Sequence, residues 1–251
     1  MFVRCAAACL LVVSLPAQNP TSGAVQKLLA PDAVIIETAS LNLGPGKTLA
    51  LVLWMAHPER VVRHRGDEFC GYDVHGDYWI GPTRLSLFDL AKPALVNTVE
   101  IRSPYDNEHV FQIPFLVSNL YYYVSRPNAV GEGQPTVLNL RDLTGEGVAG
   151  QFVLFEYGAC GIASTSVFGY SPRSQRAVQY RVEVNGRRKT EAWVEQIFGV
   201  DPILPGFWDF TWEPGHGADV MIHEQVSFDK VRQSFVDKQK ITSYPAAVRS
   251  K

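Results

Sequence analysis

No catalytic signature stands in these 251 residues: there is no G-x-S-x-G nucleophile elbow, no phosphate-binding P-loop and no dinucleotide fingerprint. His223-Glu224 opens an H-E-x-x-H zinc motif, but Ser227 stands where the second histidine is required. Charged residues make up only 19% of the chain and the formal net charge is −2, so no basic patch marks a nucleic acid or an anionic membrane as partner. Beyond the N-terminal segment no apolar run is long enough to span a bilayer as a helix. Cysteine is scarce too: Cys5 and Cys9 lie in that segment, leaving Cys70 and Cys160 in the rest.

The N-terminus reads as an export signal over residues 1–17. Arg4 is its positive region, Cys5 to Leu15 its short apolar core, and Ala17 the expected last residue before cleavage. Its removal leaves 22 basic against 25 acidic residues, a charge of −3. The expected location is periplasmic or secreted. Export permits a disulfide, and an even count of two favours Cys70 with Cys160. With 89 residues between them, the bond would add about 4–5 kcal/mol by chain entropy. The alternative is two separate buried thiols.

With 46% apolar residues the chain has enough to bury a core. Residues 18–30 read as a linker ending in a helical turn, and residues 31–241 as a single β domain. A first unit spans 34–101: Val34 to Ile36, Leu41-Asn42-Leu43, the turn Gly44-Pro45-Gly46-Lys47, then the apolar run Leu49 to Met55, which predicts a strand covered on both faces. Thr83 to Asp89 and Leu95 to Ile101 alternate as a hairpin.

A second unit spans 136–184 in the same order. Leu138-Asn139-Leu140 repeats Leu41-Asn42-Leu43, Phe152 to Tyr157 takes the place of the apolar run, and Ser166 to Tyr170 with Val178 to Val184 closes it. Asn185-Gly186 predicts a tight hairpin. Glu191 to Phe198 predicts one short helix, capped by Thr190 and ended by Gly199. A last meander spans 207–236, with a frayed tail from Ile241. The expectation is therefore an all-β, mainly antiparallel fold. Two repeated four-stranded meanders pack as a sandwich or a propeller-like pair of sheets, with one short helix.

Asp142-Leu143-Thr144-Gly145-Glu146-Gly147 carries the most chemical information. Calcium loops place oxygen ligands on alternate residues and need glycine at the sixth position. Counting Asp142 as the first, Thr144 is third, Glu146 fifth and Gly147 sixth, while Val153 stands where the twelfth-position glutamate would be. The hexapeptide resembles the D-x-N-G-D-G turn of FG-GAP and VCBS-type repeats. The likeness runs from Leu138 to Tyr157, and the chain also resembles a group of secreted bacterial proteins that carry such a turn. That resemblance implies calcium held by Asp142, Thr144 and Glu146; no other cofactor is implied. The competing reading is an Asx-type turn held by hydrogen bonds alone.

Asp73, His75 and Asp77 alternate, so an extended backbone would put two carboxylates and an imidazole on one side, half of a two-histidine, one-carboxylate metal site. The second histidine would have to be His109, His216 or His223; the plainer reading is a solvated loop. Arg65-Gly66-Asp67 is a chance tripeptide. Glu224 falls on the apolar parity of Val220, Ile222, Val226 and Phe228, which requires it to be paired or at a cleft edge. Two aromatic clusters, Tyr121 to Tyr123 and Phe207 to Trp212, serve either a core or a stacking surface.

No catalytic residue is assigned. The leading functional expectation is an exported, non-enzymatic interaction or structural module with an unknown protein or glycan partner. One alternative is a secreted hydrolase acting on glycan through paired carboxylates drawn from Asp73, Asp77 and Glu224. The other is a calcium-stabilised adhesion-like domain. Convergence of two carboxylates in one cleft separates the hydrolase from the module.

Overall fold

The computed structural model describes residues 23, 25–63, 68–69, 72–73, 76–101, 137–159, 162–189, 202–214 and 219–243, of which 60–80, 155–165 and 188–189 are described by backbone alone. The export signal, Cys70, Cys160, His75, the Arg65 to Asp67 tripeptide, Tyr121 to Tyr123 and the helix at Glu191 to Phe198 lie outside the described residues.

The described chain is all-β and almost entirely antiparallel. Sheet one has the order β1 (Val34–Asn42), β2 (Thr48–Met55), β7 (Thr83–Asp89), β8 (Ala94–Ile101). Between β2 and β7 two short ribbons are inserted: β3 (Glu59–Arg63) with β6 (Gly76–Ile80), and β4 (Glu68–Phe69) with β5 (Tyr72–Asp73). Sheet two is β9 (Gln151–Ala159), β10 (Ile162–Ser171) and β11 (Arg176–Gln179), with β10 in the middle. Sheet three has the order β13 (Arg187–Lys189), β12 (Arg181–Val184), β16 (Ser234–Ser243), β15 (Val220–Asp229), β14 (Phe207–Trp212). Its β12–β16 pairing is parallel.

The sheets stack face to face, because alternate residues of one strand serve different cores. Leu51, Leu53, Leu85 and Leu87 of sheet one meet Phe152, Leu154, Phe168 and Tyr170 of sheet two in one apolar cluster. Val153 and Val167, on the opposite parity of sheet two, join Trp208, Val226 and Phe235 of sheet three in a second. Val52, Trp54 and Phe88 form a third cluster with Val25 and Ala33, beside the N-terminal turn. Strand β2 is thus covered on both faces, as its unbroken apolar run requires.

Several details differ from the sequence reading. The C-terminal meander builds a third layer, and its last strand runs to Ser243, with Ser243 opposite Val220, where a frayed tail is expected from Ile241. Leu138 to Leu140 form no strand. Glu37 Oε2 accepts hydrogen bonds from the Val137 and Leu138 N–H groups (2.8 and 3.2 Å), and only the Arg141–Gln151 bridge follows. The stretch Val178 to Val184 is two strands: β11 belongs to sheet two and β12 to sheet three, with the chain crossing between sheets at Tyr180. The buried Tyr180 hydroxyl donates to the Tyr170 carbonyl (2.9 Å) and fixes the crossing.

Three hairpins share one design. Phe88-Asp89, Tyr170-Ser171 and Phe228-Asp229 each lead into a four-residue connection. Asp89 Oδ1 accepts from the Ala91 and Lys92 N–H groups, and Asp229 Oδ1 accepts from those of Val231 and Arg232. Ser171 Oγ accepts from Ser174 N–H. Gln175 and Gln233 close the second and third connections at φ +54°. Pro93, whose ring forbids positive φ, holds that place in the first, and that hairpin carries a bulge between Leu87 and Phe88.

Candidate functional site

Polar residues gather at two places, the Asp142–Gly147 turn and a buried carboxylate pair in sheet three.

The turn precedes β9, which it approaches through the Arg141–Gln151 bridge. Gly145 and Gly147 take φ of +67° and +80°, a region closed to most side chains. Asp142 Oδ1 accepts from Glu146 N–H (3.2 Å) and Oδ2 from Gly147 N–H (2.8 Å); Thr144 Oγ1 donates to Oδ1 (3.4 Å). These bonds reach four and five residues along the chain, beyond the two-residue span of an Asx turn, so the Asp142 carboxylate braces the whole loop. The turn also meets the β15–β16 hairpin: Lys230 Nζ donates to the Gly145 carbonyl (2.8 Å) and Gln233 Nε2 to Glu146 Oε1 (3.3 Å). Glu146 Oε2 is buried with no hydrogen-bond partner. Burial, with the charges of Glu146 and Asp142, pushes the Tyr180 phenol well above its ordinary range. Asp142, Thr144 and Glu146 are therefore close together, with most of their oxygens engaged by protein donors. Among the described residues no cluster of three or more His, Cys, Asp or Glu side chains is arranged to hold an ion.

The second group contains Glu224. Its parity on β15 carries it inward with Val226, and it is 1% exposed. Asp237 of β16 is 0% exposed. Gln239 Nε2 donates to both, at 2.7 Å to Glu224 Oε1 and 3.0 Å to Asp237 Oδ2. Burial, and then the charge of Asp237, push the Glu224 carboxyl up to about 7 against the opposing pull of Trp212 and Gln239. Glu224, expected to be either paired or at a cleft edge, is buried, bonded to Gln239 and set beside Asp237, neither of them a residue singled out from the sequence. Asp237 and Gln239 were legible in principle: Phe235, Asp237, Gln239 and Ile241 share a parity, the signal that singles out Glu224.

Asp73 and Asp77 sit on the inserted ribbons, opposite Glu68 and Val62. His223 faces away from Glu224, on the other side of β15. Its Nε2 lies 2.6 Å from Asp209 Oδ1, and Gln225 Nε2 donates to Asp209 Oδ2 (2.8 Å). Of the second aromatic cluster, Trp208 and Phe210 are buried in the core and Trp212 packs against it. The Tyr180, Phe228 and Phe235 rings interlock there edge to face. A cavity of about 320 Å³ opens near the Asp142–Gly147 turn, between Asn42, Lys47, Gly147, Tyr170 and Gln175.

No helix among the described residues is long and apolar enough to cross a membrane. No family model matches this chain, and neither a curated protein nor a solved structure matches it.

Proposed function

We propose that the chain is an exported, non-enzymatic β-protein that acts as an interaction or structural module, periplasmic or secreted, with a protein or a glycan as partner. The observation that carries this reading is the closure of the Glu224–Asp237 pair. A glycosidase needs two carboxylates on either side of the scissile bond, roughly 5–9.5 Å apart and open to the sugar. Here the two acids are 1% and 0% exposed, and one Gln239 amide spans them. Other polar side chains hold backbone. Glu37 fixes Val137 and Leu138, and Asn97 exchanges two 2.9 Å hydrogen bonds with the Ala177 backbone, tying sheet one to sheet two. The end of the molecule that carries the cavity and the glycine turns is the surface on which to map a partner.

A secreted hydrolase acting on glycan is the second reading. What favours it is the Glu224 carboxyl, raised to about 7, the range of a general acid. The deciding experiment offers the purified protein and its Glu224→Gln variant a panel of polysaccharides and measures release of reducing ends. The module reading expects no release by either protein. Release by the wild type that disappears in E224Q would replace it with the hydrolase.

A further inference from the structure

The spelling of the Asp142–Gly147 turn invites a cation, and its surroundings supply one from the chain itself. Calcium takes six to eight oxygen ligands. Four oxygens of this turn already accept from N–H groups: both of Asp142 within the turn, the Gly145 carbonyl from Lys230, and Glu146 Oε1 from Gln233, which leaves Glu146 Oε2 as the one carboxylate oxygen without a partner. The opposite side of the turn is closed by backbone. A Cβ on Gly145 would lie 2.4 Å from the Pro205 carbonyl oxygen, and one on Gly206 would lie 2.8 Å from that of Thr144. The hairpin that delivers Lys230 and Gln233 is itself held from the neighbouring connection. Arg173 Nη1 donates to the Lys230 and Val231 carbonyls (3.1 and 2.6 Å), and Ser171 Oγ donates to Gln233 Oε1 (3.1 Å).

We infer that this calcium-like turn is a latch for the β15–β16 hairpin, in which the Lys230 ammonium supplies the positive charge that an ion would otherwise bring. The turn then joins sheet two to sheet three without metal. Asp142 is kept for the turn itself and Glu146 Oε1 for the hairpin, and the protein is indifferent to calcium. This inference is independent of the non-enzymatic reading, since a module or a hydrolase could be built on the same latch.

Three measurements on the purified protein test it. The thermal midpoint should be the same in EDTA and in millimolar calcium; a saturable rise that Asp142→Ala abolishes would overturn the inference. Terbium, which occupies calcium sites, should give no sensitised emission when the Tyr180 and Trp208 cluster is excited; saturable emission lost in Asp142→Asn would overturn it even if the first variant failed to fold. Lys230→Ala should lower the midpoint by about 2–4 °C at low salt, with Lys230→Arg retaining most of the difference. A K230A midpoint equal to that of the wild type would remove the latch.

Discussion

The two faces of the β14–β15 ribbon treat a carboxylate in opposite ways. On the outer face Asp209 accepts from Gln225 and pairs with His223, and these hydrogen bonds hold its carboxyl below the ordinary value. On the inner face Glu224 is buried beside a second acid, and its carboxyl rises to about 7. Asp209 lies opposite Gln225 and Glu224 opposite Phe210, so the two acids sit one register step apart on the same ribbon. What differs is access to water and the sign of the neighbouring group. A two-stranded ribbon can therefore hold one acid as a surface anion and bury another beside a second acid, the pleat deciding which face each meets.

The largest effect that would sharpen this contrast is the pH dependence of stability. The folded-state value of Glu224 lies above its unfolded value of 4.5. Its contribution is therefore fully present below about 4.5 and is lost as pH rises through about 7. The full amplitude is about 3 kcal/mol, most of it lost between pH 5 and 8. Urea unfolding across that range should show the loss in the wild type and a flatter profile in Glu224→Gln; parallel profiles would break the contrast. A smaller effect is expected of Gln239→Ala, which removes the donor shared by both acids and should cost about 1–3 kcal/mol at pH 5. Smallest is Asp209→Asn on the exposed face. The depressed Asp209 carboxyl contributes stability above its unfolded value and loses it as pH falls, so D209N should lose slightly less on acidification than the wild type. If D209N proved as consequential as the Glu224 variant, the two faces would not differ as argued.

The strands were legible where the pattern was local. The run from Leu49 to Met55, the Thr83–Ile101 hairpin and the Asn185-Gly186 turn all follow from side-chain periodicity and turn chemistry. So did the inward placement of Glu224. What escaped depends on partners distant in sequence. Val178 to Val184 alternates without interruption, and nothing in those seven residues announces that Tyr180 changes sheets. Leu138 to Leu140 carry a strand-like pattern, but the Glu37 carboxylate, a hundred residues earlier, takes the N–H groups of Val137 and Leu138. Asp237 was missed because Asp237 to Lys240 is a polar run that reads as a strand end, although its alternate members belong to the buried face. Lys230 was missed because turn residues show their partners only once two turns meet in space.

The place of β16 in sheet three has a consequence for how the molecule comes into being. β16 is the central strand of that sheet and the last strand described, and it separates β12 from β15. A chain delivered N-terminus first must hold both flanking strands unjoined until β16 arrives. A stop codon before Ser234 would remove the keystone of the layer, leaving two half-sheets with open edges. Assembly of this layer waits for β16, the last of its strands in chain order.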